Sequence, residues 1–534
     1  MDGRRYLLDC TLRDGGYIND WKFGKDNLIN VFERVTDAGV DVIEIGFLDD
    51  RRVFDKDRSI MPDTDSVEKI YGKLNRKNTQ VVGMIDFGTC SIENVSECKD
   101  SFLDGIRVIF KKDKMVPAME FCRQLIKKGY LVYSQLVSVT SYSDEELIEL
   151  TKLANDIHPY AVSMVDTYGL LNPKSLTHIM DVLDKELDKE IILGFHAHNN
   201  FQLGYINACT ALDYETKRDI LVDATLYGMG KSAGNAPLEL VAMYMNQNYE
   251  KDYKIDEIQE AIVTSILDIY KKTPWGYKLF FYIAASNKCH PNYVTYLMNK
   301  RTLSITAINQ ILRKIPDEEK LGKNQKLIEQ LYLDYMKNEC DDSNDKENLK
   351  VELNNKKLLV IGPASSVEKE KDKIKLFIEQ ENPIVISINY IPERFTPDYI
   401  FLTNYSRYLR LKTKLKEEKY KEIPIVATSN FTKSEGNFDF VMNYSNLIDE
   451  SAEFPDNSLC MLMRLLNEIG CREVALAGFD GYLPSDVNYF EREMEYSFVK
   501  AKADSLNAYA INFFKELRKK MEVKFVTNSF YDVK

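Results

Sequence analysis

Histidine and tryptophan are scarce in this chain, with five and two among 534 residues. A surplus of positive charge is missing as well. The 83 acidic side chains outnumber the 71 lysines and arginines and leave a formal net charge of −12. That balance argues against a nucleic-acid coat or a basic membrane-surface protein, though not against a local basic groove, and no nucleic-acid partner is expected. No stretch approaches the roughly 20 apolar residues that a membrane span needs. The opening MDGRRYLLDC lacks a long apolar core followed by a small-residue cleavage site, so no secretory signal is read and a cytoplasmic protein is expected. The nine cysteines are scattered without a CxxC pair, the pattern of free thiols in a reducing compartment. Internal repeats and long low-complexity segments are absent.

What is present is the composition of a globular protein, 44% hydrophobic and 29% charged, in a chain long enough for two to four domains. From Arg5 to about Asn248, short apolar runs alternate with helical patterns. The candidate strands are Tyr6–Cys10, Val42–Gly46, Gln80–Ile85, Ile106–Phe110, Leu131–Val137, Ala161–Val165, Ile192–His198 and Ile220–Thr225. Eight strands alternating with helices in about 250 residues predict an α/β fold of the TIM (β/α)8 barrel type, with a doubly wound open sheet as the competitor. Residues 251–338 read as a helical extension, because Ile255–Tyr270, Ser304–Ile315 and Gln325–Met336 carry apolar residues at helical spacing. Residues 339–356 are polar and charged and read as a linker. Residues 357–534 read as a second open-sheet, Rossmann-like α/β domain, with strands at Lys357–Ile361, Ile384–Ile388, Tyr399–Leu402, Ile423–Ala427, Glu473–Ala477 and Val523–Val526.

Three motifs fall at the carboxyl ends of barrel strands, the face where such barrels carry their chemistry. Asp9-Cys10-Thr11-Leu12-Arg13-Asp14-Gly15-Gly16 follows strand one. Asp14 offers hard oxygen ligands for Mg2+ or Mn2+, and Arg13 offers a fixed cationic fork for a carboxylate or a developing enolate oxygen. In Gly194-Phe195-His196-Ala197-His198-Asn199-Asn200, the alternation of a strand points His196 and His198 the same way, as a metal pair. Asp223 to Pro237 follows strand eight, where Asn235 offers a further oxygen ligand. A closed barrel makes strands seven, eight and one neighbours, so the three motifs meet in space; an open sheet would keep them apart.

These residues resemble the DRE-TIM metallolyases, also described as HMG-CoA-lyase-like or pyruvate carboxyltransferase domains. Thr11-Leu12-Arg13-Asp14-Gly15, Asp166-Thr167-x-Gly169-x-x-x-Pro173, His196-x-His198-x-Asn200 and Gly228-x-Gly230 with Gly234-Asn235 match the family's motifs in order, over roughly residues 4–250. The run Gly234-Asn235-Ala236-Pro237-Leu238-Glu239 is most similar to 4-hydroxy-2-oxovalerate aldolases. The resemblance implies a Mn2+- or Mg2+-dependent aldolase whose partners are a 2-oxo acid and an aldehyde, with Asp14, His196, His198 and Asn235 as metal ligands and Arg13 as a catalytic residue. It also marks a departure. Tyr17, the second catalytic candidate, stands where those aldolases carry a catalytic histidine. Tyrosine, with an ordinary pKa near 10, is a poor base, so it is read as orienting substrate or as leaving the proton transfer to another group. Claisen-type condensation of an acyl-CoA with a 2-oxo acid is the alternative within the superfamily. The loop Leu226–Pro237 has no cysteine, which argues against HMG-CoA lyase activity.

Glu44, Asp86, Gln135 and Asp166 at or near strand ends are expected to contact substrate or orient ligands. His290, with Tyr277 and Tyr282, is placed either over the barrel mouth or in a packed aromatic cluster; His158 and His178 read as surface residues. In the second domain, Val360-Ile361-Gly362-Pro363-Ala364-Ser365-Ser366 follows a strand and precedes a helix, although it is neither a Walker loop nor GxGxxG. Gly362 and Ser365 there are candidate phosphate contacts. With Pro397-Asp398-Tyr399 and Ala477 to Tyr482, the segment resembles nucleotide-binding domains of bacterial sialyltransferase-like and surface-glycan proteins. That implies a nucleotide or nucleotide-sugar ligand. A further alternative is a bifunctional or catalytically degenerate nucleotide-sugar-binding protein in surface polysaccharide biosynthesis. Self-association into a homo-oligomer is left open.

Overall fold

A computed structural model describes residues 3–300, 303–432, 436–453, 455–484, 488–489, 500 and 502–532. The chain forms two compact units, Met1–Pro291 and Asn292–Lys534.

The first unit is a parallel barrel of β1 (Arg5–Asp9), β2 (Val42–Leu48), β3 (Gln80–Asp86), β4 (Gly105–Phe110), β5 (Leu131–Leu136), β6 (Ala161–Asp166), β7 (Ile192–Ala197) and β8 (Ile220–Ala224). Each strand pairs with the next, and β1 closes the ring by pairing with both β8 and β2. A two-residue strand, Ile60–Met61, adds to the end of β2. The strands are near-continuous apolar runs because helices cover their outer faces. Those helices start on local signals. Ser143 and Glu146 form a reciprocal capping box on Asp144–Ile157, and Asn172 caps Pro173–Glu186 with proline in the first turn. The connection from β3 to β4 departs from the regular pattern. It carries only the 3-10 turns Ile92–Asn94 and Cys98–Asp100, since residues 87–104 lack a helical apolar stripe.

Inside the barrel, Leu8, Val42, Val82, Tyr133, Ala161, Ile192 and Leu221 form an apolar floor. Glu44, Arg107, Gln135, His196 and Asp223, described below, lie on strands of the same barrel. The register sets Leu8 and His196 beside Asp223, so motifs more than 180 residues apart become adjacent. Helices Ile255–Ala261, Leu267–Lys272 and Leu279–Ser286 extend this unit. The extension read at 251–338 is thus divided, with Ile305–Leu312 and Gln325–Met336 falling in the second unit.

The second unit is a parallel open sheet of β9 (Leu358–Ile361), β10 (Ile384–Ile388), β11 (Tyr399–Leu402), β12 (Ile425–Thr428), β13 (Phe440–Met442), β14 (Glu473–Ala477) and β15 (Glu522–Phe525). Its spatial order is β13-β12-β11-β10-β9-β14-β15. The three-residue β13 was not among the expected strands. Two expectations are corrected here. The linker at 339–356 contains a helix, Ser343–Leu353, that buries Leu349 and Leu353. The carboxylates of Asp342 and Asp345 just before and within it accept the backbone N–H groups of Asn443 and Val441 at 2.8 and 2.7 Å, just beyond and on the edge strand β13. A polar segment is ordered because its acids satisfy that strand.

The second correction concerns Gly362 and Ser365. The turn they occupy already holds an anion, the carboxylate of Asp480. It accepts from Ser366 N at 2.9 Å, from Ser365 Oγ at 3.2 Å and from the Ser366 hydroxyl. Gly362 is required for another reason. A Cβ there would lie 2.5 Å from Gly478 O and 2.3 Å from the Phe479 ring, so the glycine lets the β9 and β14 turns approach.

Candidate active site

Asp14 ends the single helical turn Thr11–Asp14 that follows β1. His196 lies on β7 and His198 just beyond it, and all three side chains are almost fully buried. One ligand atom from each falls within 4.8 Å of the others. Asn235 joins them from the loop after β8. Its Nδ2 donates to Asp14 Oδ2 at 2.8 Å, while its Oδ1 has no partner. Gly230 makes the approach feasible, since a Cβ there would sit 2.3 Å from Asn235 Nδ2 and 2.6 Å from Asp14 Oδ2.

The imidazoles are oriented by their surroundings. His196 Nδ1 lies 2.9 Å from Asp223 Oδ2, which leaves Nε2, a buried atom without a partner, on the side of Asp14. This carboxylate–histidine pairing is how proteins set ring orientation at metal sites. Burial pushes His198 down to about 3, so it is a neutral imidazole with an available lone pair. Burial raises the Asp14 carboxyl, but Arg13 and the two histidines more than reverse this and hold it below the usual carboxylate range. Cys10 Sγ lies 3.9 Å from His196 Nδ1, and burial raises that thiol well above its usual range; with His196 and Asp223 it forms a second buried group of candidate ligand atoms.

Arg13 donates Nη1–H to Asp14 Oδ1 at 2.6 Å and Nε–H to Glu44 Oε2 at 2.7 Å. Glu44 also accepts from Arg107 Nη1 at 3.1 Å, and Arg107 donates Nη2–H to Gln135 Oε1 at 2.9 Å and to Asp223 Oδ2 at 2.5 Å. A buried chain of charge thus runs from Asp14 through Arg13, Glu44, Arg107 and Asp223 to His196. Two guanidiniums face three carboxylates in it, an excess of one carboxylate. Asp14, His196, His198 and Asn235 could hold a divalent cation, which would offset that excess. The donor set, the unpartnered His196 Nε2 and Asn235 Oδ1, and the carboxylate excess all fit such an ion.

The other expected residues fall into separate roles. Glu44 and Gln135 belong to the buried chain. Asp166 accepts the backbone N–H groups of Leu170 and Leu171 at 2.8 and 3.0 Å, which shapes the turn after β6, and burial lifts its carboxyl to about 6. Asp86 ends β3 and is exposed. Tyr17 stands edge-on to Trp21 at 4.8 Å, with the Lys231 ammonium 5.4 Å from its ring centroid. Its hydroxyl is pushed up to about 12 by desolvation, with Asp14 adding to the shift. Arg107 and the orienting role of Asp223 were missed from sequence.

The extension covers the loops of three successive strands. Trp275 Nε1 donates to Tyr227 O at 2.9 Å, Tyr282 packs edge-on to Phe201 at 5.9 Å, and His290 packs edge-on to Tyr168 at 6.2 Å. The carbonyl of Tyr168 accepts from Asn200 Nδ2 at 2.8 Å, two residues beyond His198.

The family model described as HMGL-like matches residues 4–264. Residues 4–264 are an HMGL-like domain of the DRE-TIM metallolyase superfamily. Among curated relatives, 4-hydroxy-2-oxovalerate aldolase 2 of Salinispora arenicola is 27% identical over 276 residues, which covers 51% of this chain and 78% of that protein. Oxaloacetate decarboxylase of Mycobacterium tuberculosis is 27% identical over 284 residues, covering 52% and 82%. A solved hydroxymethylglutaryl-CoA lyase of Pseudomonas aeruginosa shares 16% identity, covers 49% of this chain and 91% of its own, and has a TM-score of 0.41. The HMGL-like domain is of the aldolase and lyase type, and its family is divalent-metal dependent. Among the described residues, no helix is long and apolar enough to cross a membrane.

Proposed function

We propose that the HMGL-like domain is a divalent-metal-dependent aldolase, cleaving or forming the bond between a 2-oxo acid and an aldehyde. The observation that carries this reading is the buried Asp14, His196 and His198 cluster, with Asn235 Oδ1 unpartnered and the Arg13 guanidinium beside it. Mn2+ or Mg2+ held there supplies Lewis acidity to the keto and carboxylate oxygens of a 2-oxo acid.

Arg13 has the complementary task. Glu44 and Asp14 fix its fork, so positive charge is already in place where the C2 oxygen becomes an enolate oxygen. In the cleavage direction the 4-hydroxyl loses its proton, the C3–C4 bond breaks with its electron pair passing to the enolate, and an aldehyde leaves. The enolate then takes a proton at C3 to give the 2-oxo acid. Tyr17, with its hydroxyl near 12, does not accept that proton at neutral pH. Two of the five histidines belong to the cluster, and two are exposed beside Asp188 and Asp144. His290 is buried and packs edge-on to Tyr168 in the loop after β6, and we assign it the proton transfer.

A panel of 4-hydroxy-2-oxo acids, assayed for pyruvate with a coupled lactate dehydrogenase and metal present, tests the assignment. Metal-dependent pyruvate release from at least one member is expected. Silence across the panel, with thiol release from acetyl-CoA and a 2-oxo acid instead, would transfer the domain to Claisen chemistry. His290→Gln is expected to lower kcat by about 10²–10⁴-fold with bound metal retained. An unchanged kcat would remove His290 from the mechanism.

A further inference from the structure

A crevice of about 710 Å³ opens in the second unit. Its walls include Ala364 beyond β9, Asn389 beyond β10, Thr403 and Asn404 beyond β11, and Gly478 to Tyr482 beyond β14. All of these are carboxyl ends. The sheet order reverses at β9, which has β10 on one side and β14 on the other. Ligands of open α/β sheets bind outside the carboxyl ends at such a switch point.

Three features decide what fits. The first is a hydroxyl–amide network in which Asn389 and Thr403 are buried and Ser458 is partly exposed. Asn389 Nδ2 donates to Thr403 Oγ1 at 3.1 Å and to Ser458 Oγ at 2.9 Å, and the two hydroxyls lie 2.8 Å apart. Asn389 holds a left-handed backbone (φ 59°), a conformation that concentrates at functional positions. The second is charge. Glu329, Glu450, Glu453, Asp456 and Asp480 face only Lys300, Lys337 and Arg407 among the described lining residues. Lys337 is 3.8 Å from Glu450, and Lys300 lies over the rings of Tyr296 and Tyr332 at 4.8 and 4.7 Å. An acidic excess repels a phosphate or pyrophosphate. The third is the turn after β9, where a phosphate would sit and where Asp480 already holds the N–H and hydroxyl donors. Tyrosines 332, 444, 482, 489 and 531 supply flat apolar faces with polar tips.

We propose that this crevice binds a polyhydroxylated small molecule of the sugar class, uncharged or amine-bearing, and excludes nucleotide phosphates. Amides and hydroxyls match vicinal hydroxyls, the carboxylates match hydroxyl or ammonium donors, and the tyrosine rings match the C–H faces of a pyranose.

The test uses the full chain, stripped of metal with EDTA so that binding in the barrel does not contribute. Isothermal titration is run with glucose, galactose, glucosamine and N-acetylglucosamine, and in parallel with UMP, UDP and pyrophosphate. One saccharide is expected to bind with a 1:1 stoichiometry, and Ser458→Ala and Thr403→Val are each expected to weaken it about tenfold. Both variants leave the Asn389 backbone untouched, and circular dichroism confirms that each is folded. Binding of a nucleotide or pyrophosphate that these variants weaken overturns the proposal. So does a panel in which no saccharide binds, or saccharide binding that neither folded variant alters.

Discussion

Asp14→Asn is expected to empty the barrel of metal and to remove aldol turnover while leaving the fold intact. The substitution keeps the shape and removes the one formal charge in the ligand set. Arg13 retains Glu44, and Asn235 retains the carbonyl of Met229, so no guanidinium is left alone in the interior. Groups that only orient a ligand already shift metal affinity about 10–100-fold, so a charged ligand itself is expected to cost more than about 100-fold. Elemental analysis of the purified variant, with its turnover and its thermal midpoint, checks all three parts. Wild-type metal content in an inactive Asp14→Asn protein would place the ion elsewhere.

Arg107→Met is expected to have the largest effect on stability. Arg107 is fully buried and joins Glu44, Gln135 and Asp223 across three strands. Removing it leaves buried carboxylates with too few cations, and breaking such a pair costs about 3–5 kcal/mol. Both tryptophans, Trp21 and Trp275, lie in the first unit, so their fluorescence in a urea titration follows that unit alone. The expected result is a midpoint shifted far to lower urea, and a smaller shift for Arg107→Met combined with Glu44→Gln, which removes one of the two stranded carboxylates. Equal shifts for the single and double variants would mean that lost packing, not unbalanced charge, sets the cost.

The barrel was readable because its strands are buried on both faces and stand out as apolar runs. The Asp14, His196 and His198 set was readable because a spacing of two on a strand forces two imidazoles onto one face, and ring closure brings β1 beside β8. What escaped depended on partners distant in sequence. Arg107 sits in Gly105-Ile106-Arg107-Val108-Ile109-Phe110, where nothing local says which face points inward. Asp223 lay in a motif already noted, but its link to His196 exists only through the β7–β8 register. The Gly362 turn looks like a phosphate cradle because Asp480, which fills it, comes from more than 110 residues away. The Ser343–Leu353 helix buries only Leu349 and Leu353, too few apolar residues to make a stripe in sequence.

The account rests on a 2-oxo acid forming its enolate beside Arg13 and a divalent ion, and this can be measured without knowing the aldehyde. Pyruvate in D2O with the full chain and Mg2+, followed by proton NMR, reports enolate formation as loss of the methyl signal. The account predicts exchange well above the protein-free rate, abolished by EDTA and by Asp14→Asn. A methyl signal that persists with metal bound, or that decays equally after EDTA, would contradict it.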